Sequence, residues 1–159
     1  MNESERLADQ LNRALNGEAW HGPSWKEALE GIGASAAGAR PIAGAHTIAE
    51  ILLHATAWND IVRRRLGGES PKVTPADDWP STAALGDSAG WSSAVARLFE
   101  TGQSLTQTVA RFPVEKLEEK RPGLDGSWYE LISGQLQHLL YHAGQVGILR
   151  KSEVHATAA

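Results

Sequence analysis

The chain contains no cysteine. That absence excludes a disulfide scaffold, a thiolate zinc site, a cysteine-ligated iron–sulfur cluster and a cysteine nucleophile. Any metal must sit on nitrogen and oxygen ligands. Positive charge is also scarce. Lys and Arg total 15 against 19 Asp and Glu, a formal net charge of −4, and the one basic run is Arg63-Arg64-Arg65. Nucleic acid is not expected as a partner, because binding it takes an excess of Lys and Arg to neutralise phosphates. No apolar run approaches the roughly 18 residues of a membrane span, so no membrane partner is expected either. Residues 1–17 are charged and lack the apolar stretch of a signal segment, which together with the absence of cysteine leads to the expectation of a cytoplasmic protein. Period-two alternation, the mark of half-buried strands, is missing as well.

What is present reads as one globular domain. The chain has 159 residues, 42% of them apolar and 21% charged, which suffices for a single substantial core. The domain is expected over residues 1–151, with 152–159 as a flexible tail of small and polar residues.

Helix punctuation recurs along the domain. Leu7, Leu11 and Leu15 recur at i+4 and Gly17 follows them, predicting a helix over about 3–16. Ser24 with Glu27 is a capping box that opens a short helix before Gly31. Thr47 with Glu50 is a second, opening a helix to about Leu66 that Gly67-Gly68 ends. Residues 67–87 hold Pro71, Pro75 and Pro80 and read as an ordered, irregular crossover. Asp87 or Ser88 caps a helix over about 89–112, stopped by Pro113, and Ser127 with Glu130 opens the last helix, to about Lys151. The run from Glu115 to Arg121 reads as solvated surface. The predicted fold is all-α: a four-helix bundle whose crossover is long enough to make the second and third long helices parallel.

The seams locate the chemistry. Trp91, Val95, Leu98, Gly102, Leu105, Val109 and Phe112 form an a/d stripe on the third long helix. There Gly102 leaves room either for a ligand or for close helix packing, and Trp58 and Trp91 read as core. The corresponding stripe of the last helix is Leu131, Gln135, His138, His142, Gln145 and Leu149, apolar at its ends and polar in between. Buried polar side chains cost free energy unless each finds a partner. A metal with its supporting shell is one shared explanation; satisfied core histidines and helix–helix hydrogen bonds are the other. His138 and His142, one turn apart on one face, have a spacing that lets two imidazoles ligate one ion. His54 occupies a core position in the stripe Ile51, His54, Trp58, Ile61, and antiparallel packing brings it to a similar height as His142. Gln145 is placed to hold a ligand or a bound water, Gln135 to do so from the other side or to bond between helices. His46 lies too far along the axis from His54 to share an ion and reads as a loop residue. His21 reads as a turn residue, Tyr141 as packing first and an acid second, and Trp20 and Trp25 as lining a pocket or a dimer face. Nothing is assigned to His155.

Three segments, Trp20-His21-Gly22-Pro23-Ser24, His46 through His54 with Trp58, and Gln137-His138-Leu139-Leu140-Tyr141-His142-Ala143-Gly144-Gln145, resemble the DinB-like superfamily of metal-dependent enzymes. The resemblance spans about residues 3–151. It implies a four-helix bundle with a crossover, often a homodimer, and one divalent metal on His54, His138 and His142. That family includes transferases that use a low-molecular-weight thiol, but no motif here places the chain in a thiol-using branch. Three imidazoles on one ion leave coordination open, the pattern of catalytic rather than structural sites. The expected function is a metal-dependent hydrolase, or a transferase using a low-molecular-weight thiol, acting on a small-molecule substrate. Zinc is the default ion for imidazoles, with nickel, iron and manganese as alternatives. The competing reading is a non-catalytic dimeric bundle that binds a small ligand.

Overall fold

The computed structural model describes the backbone of residues 1–156 and side chains through Ser152. Four long helices form the bundle: α1 (Glu3–Asn16), α4 (Ile48–Leu66), α6 (Ser88–Ala110) and α7 (Trp128–Ala156). Short helices α2 (Trp25–Leu29), α3 (Ala34–Gly38) and α5 (Pro75–Asp78) lie in the connections, with single 3₁₀ turns at Ala83–Leu85 and Val114–Lys116. Among the described residues there is no strand, only one isolated bridge between Lys120 and Ser127. The backbone is helical past the expected end at Lys151. The side chain of His155 and residues 157–159 of the expected tail lie outside the described residues.

The predicted capping boxes are all formed. Ser24 and Glu27, Thr47 and Glu50, and Ser127 and Glu130 exchange their reciprocal bonds. Each satisfies orphan donors of a first turn and contributes about 1 kcal/mol. Asn2 with Glu5 and Thr74 with Asp77 add two more, the latter preceding Pro75 at the helix start.

Each long helix packs on two neighbours, α1 and α4 both lying against α6 and α7. Leu7, Leu11 and Leu15, then Ile51 and Leu52, then Leu98, Leu105 and Val109, then Ile132, Leu139 and Val146 meet in one core. The crossover fixes the topology. The Asp78 carbonyl lies 2.7 Å from His54 Nδ1, so between Leu66 and Asp78 the chain has travelled back along about 18 Å of helix axis. The indole of Trp91 then donates to the Ile32 carbonyl at 2.7 Å, beside α3, which touches both α4 and α6. α4 and α6 therefore start at the same end and run parallel, whereas α7 runs antiparallel to α4.

Several aromatic and apolar side chains depart from expectation. Trp25 is fully buried, its indole donating to the Leu139 carbonyl, and belongs to the core rather than to a pocket or dimer face. Trp58 is half-buried and lines a cavity. Tyr141 and Ile148 are exposed on the outer side of α7, at 65% and 62%. Gly102 is resolved as a packing residue: a Cβ there would stand 2.5 Å from Leu15 Cδ1. The glycine lets α1 seat its last leucine against α6.

Gly102→Val is expected to destabilise the fold by about 2 kcal/mol through overpacking. Adding Leu15→Ala should cost less in that background than in wild type, because the two side chains compete for one space. Urea midpoints check both, and unchanged stability of Gly102→Val would separate the glycine from Leu15.

Candidate metal centre

Two buried seams supply three imidazoles at one level. α4 contributes His54, seven residues into its helix, and α7 contributes His138 and His142, one turn apart. His54 Nε2 lies 2.8 Å from His138 Nε2, and His142 Nε2 lies 3.0 Å from the same atom. Their ligand atoms all fall within 4.8 Å of one another. The register is held deeper in the bundle by Asn59 and Gln135, which bond at 2.9 Å with both side chains buried. Gln135 thus acts between helices.

The outer nitrogens decide what the inner ones can do. His54 Nδ1 faces the Asp78 carbonyl, which can only accept, so Nδ1 carries the proton and Nε2 is a bare lone pair. His142 Nδ1 faces Gln145 Oε1 at 2.6 Å and is protonated by the same argument. Two lone pairs therefore point at His138 Nε2, which has at most one proton to offer. If His138 Nε2 is bare, three lone pairs converge with no proton between them. If it is protonated, one of its two neighbours still lacks a partner and His138 Nδ1 becomes a bare buried acceptor. His138 Nδ1 has no partner among the described residues in either case. A cation at the point of convergence gives all three lone pairs a common partner, and the donor set fits a divalent ion.

Electrostatics keeps His138 and His142 neutral. Burial pushes His138 down to about 4, with His142 and His54 adding to the effect. His142 is also lowered, chiefly by burial, against the bond from Gln145. Neutral imidazole is the ligating form, so no proton need leave at neutral pH.

The crossover closes one side. Trp79 stacks on His54 at 4.0 Å between ring centres and on His46 at 3.6 Å, so that its indole lies between the two imidazoles. Asp78 accepts from the Trp58 indole at 2.7 Å, and its carboxylate stands 3.3 Å from His54 Nδ1. His46 is apart from the three-His cluster, as expected, but it braces the indole that covers it. A cavity of about 350 Å³ lined by His54, Trp58, Gln135, His138 and Arg121 opens on one side. A second, of about 340 Å³, lies against His46, Ile51, Gln145 and Ile148.

Asp78, Trp79, Asn59 and Arg121 escaped the sequence reading. The only signal for the first two is the Thr74–Asp77 capping box with Pro75, which marks an ordered turn inside the crossover. His21 and Trp20 lie in the loop before α2, and Trp20 is fully exposed.

The family model of the DinB superfamily matches residues 19–146, most of the chain, including all three histidines of the cluster. Neither the curated proteins nor the solved structures hold a match to this chain.

In the zinc-loaded protein, long-range ¹H–¹⁵N spectra are expected to show His54 and His142 as Nδ1–H tautomers, with zinc-induced shifts at Nε2 of all three imidazoles. A proton on Nε2 of either His54 or His142 would contradict the donor arrangement.

Proposed function

The chain belongs to the DinB superfamily, and from that premise we propose that it is a metal-dependent enzyme using one divalent ion on His54, His138 and His142. The observation that carries the reading is the convergence of three imidazole Nε2 atoms on one point, two of the rings oriented by acceptors behind them. Zinc is the default, with nickel, iron and manganese compatible with the same ligands. When bound, the ion supplies Lewis acidity, polarising a substrate group or holding an external thiol as thiolate. Three protein ligands leave coordination open for that purpose.

The chain's own residues have separable tasks. Gln145 orients His142 by accepting from Nδ1. The Asp78 carbonyl does the same for His54. Trp79 shields the edge of the cluster from water, so that a substrate enters from the cavity beside Trp58 and Gln135. The reaction class is hydrolysis, or transfer to a low-molecular-weight thiol; with no cysteine in the chain, such a thiol comes from outside. The substrate is a small molecule, matched to a cavity of about 350 Å³.

Metal content tests the reading. Protein equilibrated with zinc and dialysed should hold one ion per chain. His54→Ala, His138→Ala and His142→Ala should hold less than a tenth of that with their helicity intact. Gln145→Ala should still load, with about 10- to 100-fold weaker affinity, the usual effect of removing a ligand's supporting partner. If wild type and the histidine variants retain equally little metal, the competing reading stands: a non-catalytic bundle that binds a small ligand.

We also propose a homodimer through the outer face of α7. Tyr141 and Ile148 protrude there, and Gly144 and Gly147 have open space where a side chain would stand. Such a face can pair with its own copy about a two-fold axis. Light scattering should give twice 17.1 kDa, and Ile148→Glu should give a folded monomer. A wild-type monomer at high protein concentration would overturn the proposal.

A further inference from the structure

We propose that Arg121, on the wall of the cavity beside His54 and His138, and Arg65, over the Trp58 ring that lines it, form an oxyanion subsite, so that the substrate is a small molecule carrying a carboxylate or phosphate group. The proposal rests on the reading of the histidine cluster as the reacting centre, and it adds the class of molecule that reaches it.

The basic run Arg63-Arg64-Arg65 divides in the structure. Arg63 pairs with Asp60 at 2.8 Å and Arg64 with Glu69 at 2.8 Å. Arg65 has no carboxylate within 4 Å among the described residues. Its guanidinium instead lies 5.6 Å over the ring of Trp58, and the Trp58 ring is 5.9 Å from that of His138. One indole thus separates this cation from the cluster.

Arg121 lies on the cavity wall itself. Its charged neighbours on residues 115–120 are exposed, but its own side chain turns inward and lines the cavity with Trp58, Gln135 and His138. Bonds to the Asp125 and Gly126 carbonyls fix the guanidinium without neutralising it. Burial lowers Arg65, and the like charge of Arg121 adds to the effect.

The acidic groups on the cavity wall are committed elsewhere. Asp78 accepts from Trp58 beside His54, and a Glu130 oxygen accepts from the Ser127 amide at 2.6 Å to cap α7. Two half-buried guanidiniums, one on the cavity wall and one over Trp58, neither paired with a carboxylate among the described residues, are unfavourable alone and favourable beside an anion. Their planar forks match an oxyanion in two-point contact. An anion held there places the rest of a small molecule along Trp58, towards the histidines.

The test titrates succinate and methyl phosphate separately into zinc-loaded protein, followed by calorimetry and tryptophan fluorescence. At least one should bind saturably, and which one does assigns the group as carboxylate or phosphate. Arg65→Gln and Arg121→Gln should each weaken binding at least tenfold, while Arg64→Gln leaves it unchanged. Arg65 makes no side-chain hydrogen bond among the described residues, so its replacement removes charge without loosening a loop. The proposal is overturned if neither anion saturates or if Arg64→Gln weakens binding as much as Arg65→Gln. It is also overturned if binding survives the Arg65 and Arg121 substitutions and vanishes on chelation. Metal loading with no Arg-dependent binding defeats the subsite alone. Arg-dependent binding to a protein that never loads metal defeats the metal reading alone.

Discussion

The antiparallel seating of α4 against α7 is the constraint on which the centre depends. A helix advances about 5.4 Å per turn. A slip of one turn would move His54 past both imidazoles of α7 and leave three buried polar groups without a common point. The buried Asn59–Gln135 bond at 2.9 Å resists that slip. It joins the same two helices about a turn from the histidines, and breaking it would strand two amides where water does not reach. A wholly apolar seam would be easier to bury and far less selective in register. Gly102 supports the arrangement from behind by letting α1 and α6 close up around Leu15, next to Asn59.

The crossover completes what the seams begin. In a simple up-and-down bundle the connection after α4 would be a short turn at its far end, and His54 would have no acceptor behind it. Returning the chain along α4 brings the Asp78 carbonyl to His54 Nδ1 and stacks Trp79 between His54 and His46. The same excursion that makes α4 and α6 parallel therefore also sets the tautomer of His54. Topology and chemistry share one segment.

This division explains what could be read from the sequence. The four long helices were legible because each carries a local signal, a capping box or a heptad stripe, that depends only on nearby residues. The three histidines were legible because each replaces an apolar residue on such a stripe. Gln145 was legible as a supporting residue by its one-turn spacing from His142. Asp78 and Trp79 were not, since their contacts with α4 arise from the path of an irregular segment that no periodicity describes. Arg121 was read as solvated surface from the charges around it, because the turn of its side chain depends on carbonyls of the loop that follows. Trp25 was misplaced for a related reason: a tryptophan beside a loop looks exposed until a distant carbonyl, that of Leu139, takes its indole proton.

The three imidazoles are not equivalent, and the difference has consequences. His54 and His142 are each fixed through Nδ1, by a backbone carbonyl and by an amide oxygen. His138 Nδ1 has no such partner among the described residues and is held by packing alone. Burial also pushes His138 down to about 4, so protonating it in the folded chain is unfavourable. The adaptable member of the set is thus the central one, whose Nε2 touches both others. It also lines the cavity with Trp58 and Arg121, whereas His142 does not. A ligand entering from that side meets the imidazole with the fewest constraints first. His54 and His142, each fixed at Nδ1, set where the three rings meet, and the orientation of His138 depends on the neighbours it touches.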